Sequence, residues 1–314
     1  MNPASTIIPA APAGWFDHDW FLLSDGALAV LRTDRDIRAA HAAWWRRTQS
    51  GEDAGPYRDP SIGAAAKLFV LARDGSWEKN PVAIDLPEFA YPEIDRFGDG
   101  RWVVVSARAG ARDVNARILA PDGQMLHGFA AGDGIEHIRC APDGTIWIGY
   151  FDEGIFGDTL AQGGLVRFDA RGKPLWSYND ESRGAAASIA DCYALTLDGD
   201  ALWACFYTDF PIVRIAAGKE SLWHGSASGV RALAMDGDHV LLAGGYGREQ
   251  SRLTLVRLSG AKLSGGTAQT IGALDFDSLD DAALVQGRGG TIHVVKGDRW
   301  HRITVGGIRA ELNR

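Results

Sequence analysis

A short sequence phrase recurs along this chain: an apolar run, an Asp-Gly or Gly-Gly pair, and a second apolar run. The phrase is clearest at residues 140–150, and it returns in looser form at residues 97–106, 195–207 and 233–246. An Asp-Gly pair between two apolar runs is typical of a β-hairpin. A hairpin that recurs every few tens of residues predicts a fold of repeated units, each of which buries its apolar face against the next.

The turns mark six repeats, at residues 25–26, 99–100, 143–144, 198–199, 236–237 and 289–290. A second phrase, which ends in Trp, lies between them at residues 68–77, 165–176 and 212–223, and a version ending in Leu covers 117–126. Two hairpins per repeat give four strands, which is one blade of a β-propeller. The sequence therefore predicts an all-β fold, a six-bladed β-propeller that forms a single domain over residues 1–314.

Two segments depart from the repeat. The last blade lacks an obvious fourth strand after Arg302, so either residues 6–8 or residues 308–312 are expected to pair there and cover its edge. Residues 34–63 form an insertion in the first blade. Within it, Ile37, His41, Trp44 and Trp45 recur at helical spacing, which predicts a short helix over residues 34–50, with its tryptophans against the face that carries the long loops.

Charge and composition exclude several classes of partner. The net charge of −8 and the pI near 5.5 argue against nucleic acid and against an anionic membrane surface. No apolar stretch is long enough to cross a bilayer, and residues 1–14 lack the pattern of a signal peptide. Three cysteines without CxxC spacing indicate reduced thiols. We therefore expect a cytoplasmic protein.

The third repeat carries a family resemblance. Residues 143–149 (DGTIWIG), 163–169 (GGLVRFD) and 175–178 (LWSY) resemble the two-component-regulator propeller repeat, with Tyr150 in place of the Thr usual in that family. The six-repeat organisation is similar to that of NHL-type and lactonase-type propellers. The resemblance implies a propeller fold and a ligand-sensing role.

The long connections all fall on one predicted face, where binding sites usually lie. Tyr150, Tyr207 and Tyr246 end the second strand of their blades on this loop-rich face. These tyrosines are predicted to contact a flat ligand, or alternatively to pack against the neighbouring blade. Arg231 and Trp44 complete the predicted ligand-binding set.

Acidic residues recur where the chain enters the first strand of a blade. Glu93, Glu136 and Asp191 are expected to converge on the central channel, where carboxylates would suit Ca²⁺ or Mg²⁺. The alternative is that they are turn residues facing solvent or nearby arginines. His137 with Asp152 and Glu153 is the candidate general acid/base set.

No nucleotide-binding, metalloprotease or nucleophile-elbow motif is present in the sequence. The function predicted is therefore a propeller that binds a small molecule or a protein on its loop-rich face. The alternative is a divalent-metal-dependent hydrolase, lactonase or lyase that uses the channel carboxylates. A purely structural scaffold is a third possibility, and the sequence leaves open whether the protein is an enzyme.

Overall fold

The structure is a computed structural model that describes residues 3–53, 55, 56, 60–85, 91–110, 113–181, 188–225, 227–260 and 265–314. These residues form an all-β fold in the arrangement of a β-propeller, with four four-stranded sheets and one eight-stranded sheet. No helix in these ranges is long and apolar enough to span a membrane.

Most strands are short, as is usual for propeller blades. The first half of the chain forms β1 (Ala4–Ile7), β2 (Phe16–Leu22), β3 (Leu28–Thr33), β4 (Ala66–Leu71), β5 (Val82–Ile84), β6 (Pro92–Arg96), β7 (Trp102–Ser106), β8 (Ala116–Leu119), β9 (Met125–Phe129), β10 (Ile135–Cys140), β11 (Ile146–Tyr150), β12 (Leu165–Phe168) and β13 (Pro174–Ser177). The second half forms β14 (Asp191–Asp198), β15 (Ala201–Tyr207), β16 (Ile212–Ala216), β17 (Lys219–His224), β18 (Ala232–Asp236), β19 (His239–Ala243), β20 (Arg252–Ser259), β21 (Gly266–Asp275), β22 (Leu284–Arg288), β23 (Thr291–Lys296) and β24 (Arg299–Thr304). The helices are α1 (Ile37–Gln49), α2 (Asp152–Gly157), α3 (Tyr178–Glu181) and α4 (Val305–Leu312).

Consecutive strands pair antiparallel within each sheet. Three sheets are the meanders β2–β5, β6–β9 and β10–β13. The eight-stranded sheet consists of two further meanders, β14–β17 and β18–β21, which meet where β17 and β21 run parallel over two residue pairs. The first strands of these units and β22 pack side by side in a closed ring around one axis.

The two chain ends meet in the last sheet. Strand β1 pairs antiparallel with β24, from Ala4 opposite Arg302 to Ile7 opposite Arg299. Of the two segments predicted to complete this sheet, the N-terminal one does so, and the C-terminal one forms α4 instead. Pairing of the N-terminal strand covers the backbone edge of β24, which would otherwise be open to solvent or to another chain.

The six predicted hairpin turns are confirmed by their backbone geometry. Gly144 follows Asp143 with φ of 80°, and the equivalent glycines have positive φ as well, namely Gly26, Gly100, Gly199, Gly237 and Gly289. Because glycine has no Cβ, it adopts this left-handed conformation without steric cost. The short turns therefore lie at one end of the sheets, and the longer connections that contain α1 and α2 lie at the other.

The predicted helix in the insertion is present, but its expected docking is wrong. Helix α1 runs over Ile37–Gln49, and Asp36 caps its first turn by accepting from the Ala39 N–H at 2.8 Å. Ile37 is its only buried residue, whereas Trp45 remains 47% exposed. Trp44 donates to the Gly55 carbonyl within the insertion. The tryptophans therefore pack with each other and with their own loop; residues 54 and 57–59 of this insertion lie outside the described residues.

The core lies between successive sheets and repeats one aromatic position. Trp102, Trp147 and Trp203, each on the second strand of its unit, are 2%, 6% and 5% exposed. Trp102 packs with Phe21 and Ala29 of the preceding sheet, in one apolar cluster. An arginine guanidinium lies over each indole, at 5.1, 5.3 and 5.8 Å from the ring centre. Stacked sheets joined by such residues hold the inner strands in a fixed ring.

Candidate ligand-binding site

One cavity of about 520 Å³ opens at the loop-rich end of the strand ring, and we call it the axial pocket. Its polar lining comes from the first strand of each successive unit or from the residue just before it. These residues are Asp19 (β2), Glu93 (β6), Glu136 (β10), Asp191 (β14), Arg231 (before β18) and Gln286 (β22). Asp152, at the start of α2, adds a fifth carboxylate.

Irregular pairing points several of these side chains into the pocket. The register between the first and second strands shifts between Asp17 and Asp19 in β2, between Ile135 and His137 in β10, and between Asp191 and Ala194 in β14. A bulge places two residues opposite one and redirects their side chains. For this reason the neighbours Glu136 and His137 both line the pocket, although side chains alternate in a regular strand.

Asp19, Glu93, Glu136 and Asp191 each have a raised pKa. Burial and the neighbouring Asp19 and Glu136 carboxylates raise the pKa of Glu93 to about 8, against the opposing effect of Arg139. Burial, Asp152 and Glu136 raise the pKa of Asp191 to about 6. Burial also raises the pKa of Asp19 and of Glu136, although Glu136 is exposed to solvent in the cavity. Like charges at close range have this effect, since each disfavours ionisation of the next.

His137 is neutral despite the acidic surroundings. It is 7% exposed, and burial and the Arg139 charge lower its pKa to about 3, although the backbone of Cys192 and Tyr193 acts in the opposite direction. Neither ring nitrogen makes a hydrogen bond of ordinary geometry. His137 therefore contributes an unused polar group to the pocket but no positive charge.

A buried ionic cluster closes the axis below the pocket. Asp95 is 1% exposed and accepts from the backbone N–H groups of Ser24, Arg96 and Cys140, each at 2.7 Å. Its carboxylate lies 3.5 Å from Arg288, and Arg139 is buried beside this pair. Burial and Arg288 lower the pKa of Arg139 to about 10, which leaves it charged at neutral pH. The cluster forms a polar floor that also joins β6 to β10.

Aromatic side chains form the walls and one side of the entrance. Trp20, Phe151 and Tyr193 line the axial pocket. Next to them lies an aromatic rim of Tyr193, Tyr207, Phe210 and Tyr246, whose ring centres are 4.9–6.1 Å apart. The Tyr246 hydroxyl bonds to the Tyr193 hydroxyl at 2.7 Å. Faces of such rings attract cations as well as apolar groups.

The structure separates the three predicted ligand-contacting tyrosines. Tyr207 and Tyr246 are 47% and 52% exposed and belong to the aromatic rim. Tyr150 is fully buried, and its hydroxyl donates to the Ala131 carbonyl, so it follows the alternative of packing within the fold. Arg231 lines the pocket and donates to the Leu279 carbonyl at 3.1 Å. Trp44 lies in the insertion, away from the pocket. From the same helix, Arg38 forms an ion pair of 3.4 Å with the pocket residue Asp19.

The candidate acid/base set is also divided. His137 and Asp152 line the pocket together, whereas Glu153 forms an ion pair with Arg108 outside it. Glu93, Glu136 and Asp191 share the pocket as expected. Across the described ranges, however, no three His, Cys, Asp or Glu side chains are grouped closely enough to hold a metal ion. A divalent cation at these carboxylates stays a prediction.

Sequence reasoning missed several residues of the pocket. Trp20, Tyr193 and Gln286 line it, yet none stands at a turn or in a repeated motif. Tyr193 lies next to the irregularity of β14. In the sequence, the only indication was that Tyr193 lies two residues after Asp191. That spacing does not predict where the Tyr193 side chain points once the strand contains a bulge.

Comparisons with known proteins agree on the fold. A model of the YxzG family matches residues 165–269. No curated protein sequence matches the chain. Catalytically inactive virginiamycin B lyase from Staphylococcus aureus, solved with quinupristin, is 12% identical with a TM-score of 0.50, over 96% of this chain and 99% of that one. The β-propeller domain of Cps50 (Swd1) from Myceliophteria thermophila is 10% identical with a TM-score of 0.51, over 96% of this chain and 100% of that one. At these identities the similarity establishes a β-propeller and nothing about activity.

Proposed function

We propose that this protein is a ligand-binding β-propeller whose axial pocket takes a small molecule with a positively charged group beside an aromatic or apolar one. The observation that carries the proposal is the charge balance of one cavity. Asp19, Glu93, Glu136, Asp152 and Asp191 line it together, against Arg231 and a neutral His137.

A bound cation would offset the electrostatic cost of gathering these carboxylates in one cavity. Burial, together with repulsion among the carboxylates, raises the pKa of Glu93 and Asp191. His137, which is neutral and 7% exposed, adds no positive charge that would oppose a bound cation.

The aromatic walls of the axial pocket indicate which chemical group accompanies the positive charge of the ligand. Trp20 and Phe151 present ring surface inside the pocket, and the aromatic rim continues that surface to the entrance. A cation over an aromatic face gains about 0.5–2 kcal/mol. We therefore expect an ammonium or guanidinium group attached to a ring or an apolar chain.

The experiment compares benzylammonium with benzyl alcohol, a neutral molecule of nearly the same shape, by isothermal titration calorimetry at pH 8. We expect measurable binding of benzylammonium and none of benzyl alcohol. Asp191→Asn should weaken benzylammonium binding about tenfold, since a charge-assisted hydrogen bond is worth roughly 1.5–3 kcal/mol. Asp122→Asn is the matched control, because Asp122 is exposed in a turn outside the pocket.

Equal binding of both compounds, or an equal effect of the two substitutions, would refute the proposal. Titration with Ca²⁺ and Mg²⁺ forms a further arm. Tight binding of either metal that is lost in Asp191→Asn would favour the hydrolase, lactonase or lyase alternative. A protein that co-purifies at fixed stoichiometry and blocks benzylammonium binding would favour a protein partner on the loop-rich face.

We also infer that the propeller has six blades. The inference is supported by the closed ring of first strands β2, β6, β10, β14, β18 and β22. The eight-stranded sheet counts as two blades in this interpretation, because among the described residues β17 and β21 pair at only two positions, Trp223 opposite Gly266 and His224 opposite Thr267. Every blade then contributes at least one polar residue to the axial pocket.

A further inference from the structure

A second cavity, of about 430 Å³, lies at the short-turn end of the fold, away from the loop-rich face. It is formed between the first sheet and the last one. Its polar lining consists of Arg73, Arg288, Thr291, His293, Arg302 and Thr304. No Asp or Glu is found among the described residues that line it. Its charge is therefore opposite in sign to that of the axial pocket.

The positions of two of the arginines are fixed by the fold. The Arg302 guanidinium donates to the Arg73 carbonyl and to the Thr6 hydroxyl, both at 2.7 Å, and stacks 4.7 Å from the Trp300 ring centre. A guanidinium has five N–H donors, so these two bonds leave others for a ligand. Arg288 approaches from the axis, where Asp95 is 3.5 Å away.

Arg288 carries unused hydrogen-bonding capacity. Its side chain is 12% exposed, and its Nε and Nη2 atoms are buried without a hydrogen-bond partner in the described structure. Asp95 forms a 3.5 Å ion pair with Arg288, and its oxygens also accept from three backbone N–H groups. The Arg288 guanidinium therefore adds a positive charge to the lining of the cavity.

His293 is a further donor rather than a base. The Trp300 indole N–H donates to its Nδ1 at 3.1 Å, so the proton of the neutral ring is on Nε2. Burial and the charges of Arg302, Arg288 and Arg73 lower its pKa to about 3. The positive charges of all three arginines therefore reach the His293 ring. The Asp25 carboxylate, on which Arg73 also acts, is ion-paired with Arg96 at 2.5 Å.

From this arrangement we propose that the cavity binds a phosphate-type oxyanion, either free phosphate or the phosphate group of a small phosphomonoester. Guanidinium groups match the oxygens of phosphate and give paired, charge-assisted hydrogen bonds. The Thr291 and Thr304 hydroxyls and the His293 Nε2–H are neutral donors that suit the remaining oxygens. The site is separate from the axial pocket, so the two proposals stand or fall independently.

The test is calorimetric titration of the full-length protein with inorganic phosphate, glycerol 3-phosphate and sulfate, in low-salt buffer with chloride as the background anion. Arg73→Gln is the informative variant, because the Arg73 side chain is exposed and makes none of the strand contacts that Arg302 makes. We expect saturable phosphate binding that Arg73→Gln weakens about tenfold. Arg299→Gln changes a 50% exposed arginine outside the cavity. The affinity of this variant for phosphate should stay within about twofold of that of the parent.

The anions distinguish the sources of the ligand. Tighter binding of glycerol 3-phosphate than of phosphate would assign the site to a phosphomonoester, and the reverse order would assign it to free phosphate. Absence of saturable binding of all three anions would overturn the proposal. An equal loss of phosphate affinity in Arg73→Gln and Arg299→Gln would also overturn it, because that result would reflect only the general effect of surface charge.

Discussion

Replacing Trp102 by Ala is expected to lower the free energy of unfolding by about 3–5 kcal/mol, as other truncations of buried aromatic residues do. Trp102 is 2% exposed and packs in the cluster that joins the first two sheets, with the Arg96 guanidinium 5.1 Å from its ring centre. The substitution removes apolar contacts on both sides and leaves a cavity between sheets. Urea denaturation followed by circular dichroism measures the change.

Trp45→Ala is the matched control for this substitution. Trp45 is 47% exposed on α1, so its replacement by Ala should lower the free energy of unfolding by less than about 1 kcal/mol. If Trp102→Ala and Trp45→Ala unfold at the same urea concentration, the tryptophan of the second strand does not join neighbouring sheets. The packing account of the repeat would then be wrong.

Glu93→Gln is expected to make the protein more stable than the parent at pH 9, but not at pH 5. The pKa of Glu93 rises from 4.5 to about 8 on folding, so the folded state binds the extra proton. Stability from this group is therefore fully present below pH 4.5 and is lost as the pH rises through about 8. Each pKa unit corresponds to about 1.4 kcal/mol, and partial exposure of the side chain reduces the total to roughly 2–3 kcal/mol.

The pH dependence is measured as the difference in unfolding free energy between variant and parent at each pH, which cancels the titration of other groups. Glu52→Gln is the control, since Glu52 is 64% exposed and lies in the insertion. Its difference from the parent should be small, as for other substitutions of exposed residues. A constant difference for Glu93→Gln over the same range would show that Glu93 ionises normally, and the electrostatic description of the axial pocket would be incorrect.

The repeat predicted the backbone well because its signal is local. An Asp-Gly pair such as Asp143 and Gly144 specifies a tight turn by its own conformational preference, without help from distant residues. The same regularity brought Glu93, Glu136 and Asp191 into one pocket, since equivalent positions of a cyclic repeat meet at the axis. Positions that are repeated could thus be placed from sequence alone.

Positions that break the repeat could not be placed. The bulge at Glu136 depends on pairing with β11, and no residue type specifies it locally. Helix α1 followed from its periodicity, but the surface on which Trp44 rests depends on tertiary packing. Tyr150 and Tyr207 end equivalent strands, yet one is buried and the other exposed. The difference lies in the register: Tyr150 is three residues after Trp147, whereas Tyr207 is four residues after Trp203, so their side chains point to opposite faces of the sheet.

The most direct test of the central claim, that the axial pocket binds a cation, is calorimetric titration with benzyltrimethylammonium at pH 6 and pH 9. This ligand has a permanent charge, so any change with pH comes from the protein. At pH 6 Glu93 is protonated and Asp191 is half protonated, whereas at pH 9 both are ionised. We predict affinity at least about fivefold higher at pH 9, with proton release on binding near pH 7. No binding, or equal affinity at the two pH values in parent and Glu93→Gln alike, would contradict the account.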